Sequence, residues 1–229
     1  FYASFCLDFG IFRDDLSVAS LKSLRGLNSL LLQKCSFEKN SLDGLNNLRK
    51  LLIDDCSLEN LKSESFKSLD NLEYLKIIPP LFDSDNFQLE IERECPRLKW
   101  LQLSKALISD KMMNIFSGHQ LRVLKLNQCK LESTEFLNEI PRLRALRMYE
   151  CSSTEKLRLP RSLNRLEFIS ICSDYGDKMS LDESFLKFES LKSIDIHNTE
   201  ISLNEHKFES LGKLETLRIT LKDEEGQLG

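Results

Sequence analysis

The side chains best suited to chemistry in this 229-residue chain are its carboxylates, histidines and cysteines. Asp83, Asp85 and Glu94 stand at the first, third and twelfth places of a calcium-loop pattern. Such a loop also needs an oxygen ligand at its fifth place and a glycine at its sixth for the sharp turn. Phe87 and Gln88 hold those places, so a solvated acidic loop is expected instead of a cation site. His119, His197 and His206 have no C-x-x-C or H-x-x-x-H company, which leaves no zinc ligand set. A cysteine nucleophile needs an activating histidine beside it in the fold. Cys172, Asp195 and His197 offer such a trio if their segments lie side by side, but chance surface placement is the expected reading. No glycine-rich phosphate loop is present. No catalytic residue, metal site or cofactor is therefore expected, and the chain reads as a non-enzyme.

The elements that would position any site come from a repeat. Leu121-Arg-Val-Leu-Lys-Leu-Asn-Gln-Cys-Lys-Leu131 has the pattern L-x-x-L-x-L-x-x-C-x-L. Leu27, Leu30, Leu32, Cys35 and Phe37 keep that spacing, as do Leu48, Leu51, Ile53, Cys56 and Leu58. Further copies start at Leu72, Leu98, Leu143, Leu166, Leu191 and Leu214, although Leu163 competes with Leu166 for the seventh start. Taking each starting leucine as position zero, +3 and +5 are apolar in every copy, from Leu30 and Leu32 to Leu217 and Ile219. This alternation is that of a short strand with one buried face. The starts are 21, 24, 26, 23, 22, 23, 25 and 23 residues apart. A period in the twenties predicts a solenoid with one strand per coil, stacked into a parallel sheet. Positions −3 and −6 are often apolar too, as in Leu45 and Leu42, Leu69 and Phe66, Ile140 and Leu137, and Phe188 and Phe185, and would line the returning side. Position +10 holds Phe37, Leu58, Phe82, Ile108, Leu131 and Ile201, with Ser153, Gly176 and Glu224 as departures.

This spacing resembles that of the leucine-rich repeat family, over roughly residues 20–222. The resemblance implies an α/β-type solenoid, a horseshoe of about nine coils with a parallel concave sheet. Residues 57–77 are similar to the Phe-containing repeats of receptor ectodomains. Cys95-Pro-Arg-Leu-Lys-Trp-Leu-Gln-Leu103, followed by Ile108-Ser-Asp-Lys-Met-Met113, is similar to the cysteine-containing repeats of F-box adaptors. One elongated domain is expected over 1–229, with regular repeats at 21–222 and a frayed end at 223–229. Residues 1–20 would hold a partial repeat starting at Ser4, with Leu7, Phe9 and Phe12 at +3, +5 and +8. The chain starts with Phe1 and shows no polar capping coil, so flanking sequence is expected at both ends.

With 32 basic and 36 acidic residues the net charge is −4, which argues against a dedicated nucleic-acid binder. No apolar run approaches the roughly 18–20 residues of a membrane span. Of seven cysteines, Cys35, Cys56, Cys129 and Cys151 share position +8, where the chain turns inward below the strand. Asparagine there would bond backbone groups of the neighbouring turn, and cysteine substitutes as a small buried residue with a weak donor. Side chains pointing the same way favour free thiols, and with them a cytoplasmic setting; an extracellular one is the alternative. No Asn lies in an N-x-S/T sequon.

Positions +2, +4 and +6 point away from the core. The middle coils present Tyr74, Trp100, Tyr149 and Phe168 around Lys76, Gln102, Lys125 and Arg147, with Leu31 and Leu52 as an apolar patch near the first coils. Trp, Tyr and Arg are the residues that most often carry binding energy at interfaces. These eight middle-coil residues are the expected partner-binding set, on a module that recognises a protein and not a nucleic acid. The resemblance implies the target-recognition part of an intracellular adaptor or sensor, or alternatively a fragment of a Toll-like or other extracellular receptor ectodomain. The sequence fixes no oligomeric state.

Overall fold

Alternation at +3 and +5 produces one five-residue strand per coil. The structure, a computed structural model, describes residues 4–8, 17–18, 21–80, 87, 95–109, 120–173, 179–201 and 208–220. The strands are β1 (Ser4–Asp8), β2 (Ser29–Gln33), β3 (Lys50–Asp54), β4 (Tyr74–Ile78), β5 (Trp100–Ser104), β6 (Val123–Asn127), β7 (Ala145–Tyr149), β8 (Phe168–Cys172), β9 (Ser193–His197) and β10 (Thr216–Thr220). They form one parallel sheet of ten strands in chain order. Each inward column is a stack of like residues. Leu124 lies between Leu101 and Leu146, and Leu126 between Leu103 and Met148. The +3 leucines from β2 to β7 have no exposed surface.

A turn leads into each strand. The N–H of the position-zero residue donates to the carbonyl at −3, as in Leu48 to Leu45 (2.9 Å), Leu72 to Leu69 (2.9 Å), Leu143 to Ile140 (3.0 Å) and Leu191 to Phe188 (3.1 Å). Both ends of the turn therefore face the core, which explains the apolar pair. The returning side carries 3-10 helices at Ser63–Phe66, Glu135–Glu139, Glu183–Lys187 and Phe208–Ser210. They seat Phe66, Leu137 and Phe185 in the core. The helical layer implied by the resemblance is thus made of 3-10 turns among the described residues. Position +10 forms short strands of its own, with Lys130–Leu131 pairing both Leu107–Ile108 and Ser152–Ser153.

Position +8 behaves as the repeat requires. Cys56 Sγ donates to the carbonyl of Leu32 (3.5 Å), Cys129 Sγ to that of Leu103 (3.5 Å) and Cys151 Sγ to that of Leu126 (3.3 Å). Each thiol satisfies the +5 carbonyl of the coil before it. Cys35, Cys56, Cys95, Cys129, Cys151 and Cys172 are free thiols. Their side chains do meet, contrary to expectation: Cys35 Sγ and Cys56 Sγ lie 3.2 Å apart, because stacking places consecutive +8 residues directly over one another. That hydrogen bond, with burial behind it, pushes the Cys35 thiol well above its ordinary range. Burial does the same to Cys129.

The first coil corrects the expected register. Ser4 pairs with Ser29, Phe5 with Leu30 and Leu7 with Leu32, so position zero is Tyr2 and Leu7 stands at +5, not +3. This coil brings the sheet to ten strands against the nine copies counted. Leu166 is the seventh start, since Ile169 pairs with Leu146, and Leu163 is its −3 turn partner. In that coil Leu181, not Gly176, reaches the +10 column by pairing with Ile201. The extra residues before it displace the pattern. Phe87 forms a parallel bridge to Ala106. Asp83, Asp85, Glu94, His119 and His206 lie outside the described residues.

Candidate partner-binding face

Along each strand the +2, +4 and +6 side chains leave the sheet on the side away from the core. The backbone register brings consecutive coils into line there. Tyr74 pairs with Trp100, and Lys76, Gln102, Lys125 and Arg147 follow one another across β4 to β7. The rings of Tyr74 and Trp100 stack with centroids 3.9 Å apart and planes 8° from parallel. Lys125 Nζ sits 5.1 Å from the Trp100 ring centroid on one side, and Lys50 Nζ 5.1 Å from that of Tyr74 on the other. The stack is capped at both ends by cations, an arrangement that attracts through the negative faces of the rings. Burial raises the Tyr74 phenol above its usual range. Burial, then the charges of Arg147 and Lys76, hold the Lys125 ammonium below the usual lysine range.

Six of the eight expected residues (Tyr74, Lys76, Trp100, Gln102, Lys125 and Arg147) thus form one continuous group on four adjacent strands. Tyr149 and Phe168 lie at its margin on the same face. They are 44% and 43% exposed, at opposite ends of neighbouring strands, since Tyr149 pairs with Cys172 and Phe168 with Ala145. Lys50 belongs to the group although sequence reasoning left it out. Its signal was the +2 column itself, which places it directly beside Tyr74.

At the far end of the same face the Cys172, Asp195 and His197 trio is partly assembled. His197 Nε2 lies 2.9 Å from Asp195 Oδ1, and Cys172 pairs with His197 across the strands. A separate cleft of about 680 Å³ opens around Arg158, Arg161, Asp182, Lys187 and Glu189, with mixed charges at its walls.

A second charged column lies one residue before the strands, at +1. Its backbone continues the ladder. Lys99 N–H donates to Glu73 O, Arg122 to Lys99, Arg144 to Arg122, Glu167 to Arg144 and Lys192 to Glu167, each within 2.8–2.9 Å. The side chains pair along it: Glu73 with Lys99 (2.8 Å) and Arg49 (3.6 Å), and Glu167 with Lys192 (2.8 Å) and Arg144 (3.5 Å). The hydrogen bond from Lys99 holds the Glu73 carboxyl below its usual range, and Lys192 does the same for Glu167.

No family model matches the sequence, and no curated protein matches it. Solved structures do. Internalin C2 from Listeria monocytogenes superposes with a TM-score of 0.52 at 14% identity, covering 90% of this chain and 76% of that one. An internalin (inlF) from the same organism gives 0.45 at 16%, covering 90% and 81%. The TLR13 of a TLR13–ssRNA13 complex gives 0.29 at 15%, covering 95% and 52%. The repeat spacing, the single parallel strand per coil and the superposition on internalin C2 define the class: the chain is a leucine-rich repeat solenoid. Among the described residues no helix is long and apolar enough to cross a membrane.

Proposed function

We propose that the chain is a non-enzymatic recognition module that binds a protein partner on the open face of its sheet. The observation that carries this is the cation-capped Tyr74–Trp100 stack beside Lys76, Lys125 and Arg147. Aromatic rings on a rigid sheet supply contact area at little cost in conformational entropy, and a guanidinium beside them adds directed hydrogen bonds. Four strands at about 4.8 Å, with side chains beyond them, make a footprint on the scale of one half of a protein interface. Within this reading the whole described stretch acts as one recognition domain, serving as the target-recognition part of an adaptor or sensor in the cytoplasm. Free, buried thiols at +8 support a reducing compartment. A thiol titration without reductant tests that part: all seven cysteines should react, and the buried ones only after denaturation. Missing thiols would move the chain to an extracellular receptor.

The site is tested with binders drawn from an unbiased peptide-display library. Trp100→Ala combined with Arg147→Ala should weaken the selected peptides at least about tenfold, equivalent to roughly 1.4 kcal/mol. The melting curve should stay nearly unchanged, because neither side chain enters the core. Unaltered binding by the double variant would move the site elsewhere.

A further inference from the structure

The +1 column alternates in sign except in one place. From β3 to β10 it reads Arg49, Glu73, Lys99, Arg122, Arg144, Glu167, Lys192, Glu215. On both sides of the middle each cation meets a carboxylate. In the middle, Arg122 stands between Lys99 and Arg144, joined to both by backbone hydrogen bonds of 2.8 Å. Its two neighbours in the column are therefore cations, a few ångströms away, and no ion pair is made by Arg122 among the described residues. Arg122 and Arg144 are exposed. Three residues further along the same strands stand Lys125 and Arg147. Residues 99–104, 122–127 and 144–149 together hold Lys99, Arg122, Lys125, Arg144 and Arg147 and no carboxylate. The corresponding residues of the last three coils, 167–172, 192–197 and 215–220, hold Glu167, Asp195 and Glu215 against Lys192 and Arg218.

A like-charge run inside an otherwise alternating column works against folding, and such local departures concentrate at functional sites. It also sits in a chain whose net charge is negative. We propose that this break in the charge column is a binding site for an acidic, extended peptide segment, whose carboxylates take the place of the missing glutamate between Lys99 and Arg144 while an apolar side chain rests against the partly exposed edges of the neighbouring Tyr74 and Trp100 rings. This deepens the recognition reading and rests on it. A single-stranded nucleic acid fits less well. Its bases need open ring faces for stacking, and here the two rings cover each other while Lys50 and Lys125 cover the outer faces.

The probe is a fluorescein-labelled peptide of mixed Glu and Asp with one central Leu, about ten residues long. At about 3.3 Å per residue it spans the roughly 20 Å of five strands. Fluorescence anisotropy at low salt should show saturable binding that weakens as salt is added. Two charge reversals of equal size separate the site from general attraction. Arg122→Glu makes the column alternate throughout, so it should lose the peptide at least about tenfold and melt at or above the wild-type temperature. Lys192→Glu creates a run of like charge in the paired part, so it should keep the peptide within about twofold and melt lower. Arg122→Gln, which adds no carboxylate, should fall between wild type and Arg122→Glu. Equal losses in both reversals, peptide binding that ignores Arg122, or tighter binding of a fluorescein-labelled oligothymidylate of the same charge would overturn the proposal. Display-selected peptides that depend on Trp100 and Arg147 but not on Arg122 would do so as well, while leaving the recognition reading in place.

Discussion

The middle of the solenoid and its C-terminal part are written in the same repeat yet differ in their outer layer. In β5 to β7 the +3 leucines are completely buried and the +1 charges share one sign. In β8 to β10 the charges alternate and the face carries the Asp195–His197 pair; Ile169 and Ile194 are as buried as the middle leucines, and Leu217, on the edge strand of the described sheet, is 48% exposed. Each inner side chain packs between those of the neighbouring coils, as Leu124 does between Leu101 and Leu146, so the +3 column stays leucine or isoleucine from β2 to β10. The outer columns are not held by that packing and vary. The face is where the coils become individual.

The largest effect should come from the inner column. Leu124→Ala removes a fully buried side chain and should cost about 2–5 kcal/mol in denaturant unfolding. Leu217→Ala, with half of the side chain already in solvent, should cost less than about 1.5 kcal/mol, since only the buried share of its transfer energy is lost. Equal costs would erase the difference between an inner and an edge strand, and a Leu124→Ala cost below about 1 kcal/mol would contradict the register. The melting shifts of Arg122→Glu and Lys192→Glu are smaller, because exposed ion pairs are screened by solvent and contribute little. Their opposite signs, not their sizes, sharpen the contrast between the broken and the paired stretch.

Most of the fold was legible in the sequence because a period-two pattern inside a longer period marks strand, buried face and coil together. Leu30 and Leu32 are enough to place Leu51 and Ile53. The misplacements occurred where an extra apolar residue offered a second match. Phe9 and Phe12 drew the first coil two residues out of register, and the extra residues before Leu181 moved the +10 position away from Gly176. The aromatic and basic face was legible because +2 and +4 are fixed once the strand is known. Lys50 was missed because its role depends on where a neighbouring side chain lies, not on its own coil. The +1 column was missed for a related reason: charges about 23 residues apart in the chain become neighbours only after the coils are stacked. The meeting of Cys35 and Cys56 is another product of stacking.

Trp100 is the only tryptophan in the chain and lies at the centre of the proposed face. The most direct measurement is its emission during titration with a display-selected peptide whose affinity is known independently. A partner seated on the Tyr74–Trp100 stack must change the surroundings of that indole. The emission should therefore shift or quench saturably, with a midpoint equal to the independently measured Kd. Saturable binding that leaves Trp100 emission unchanged would place the partner elsewhere and contradict the account.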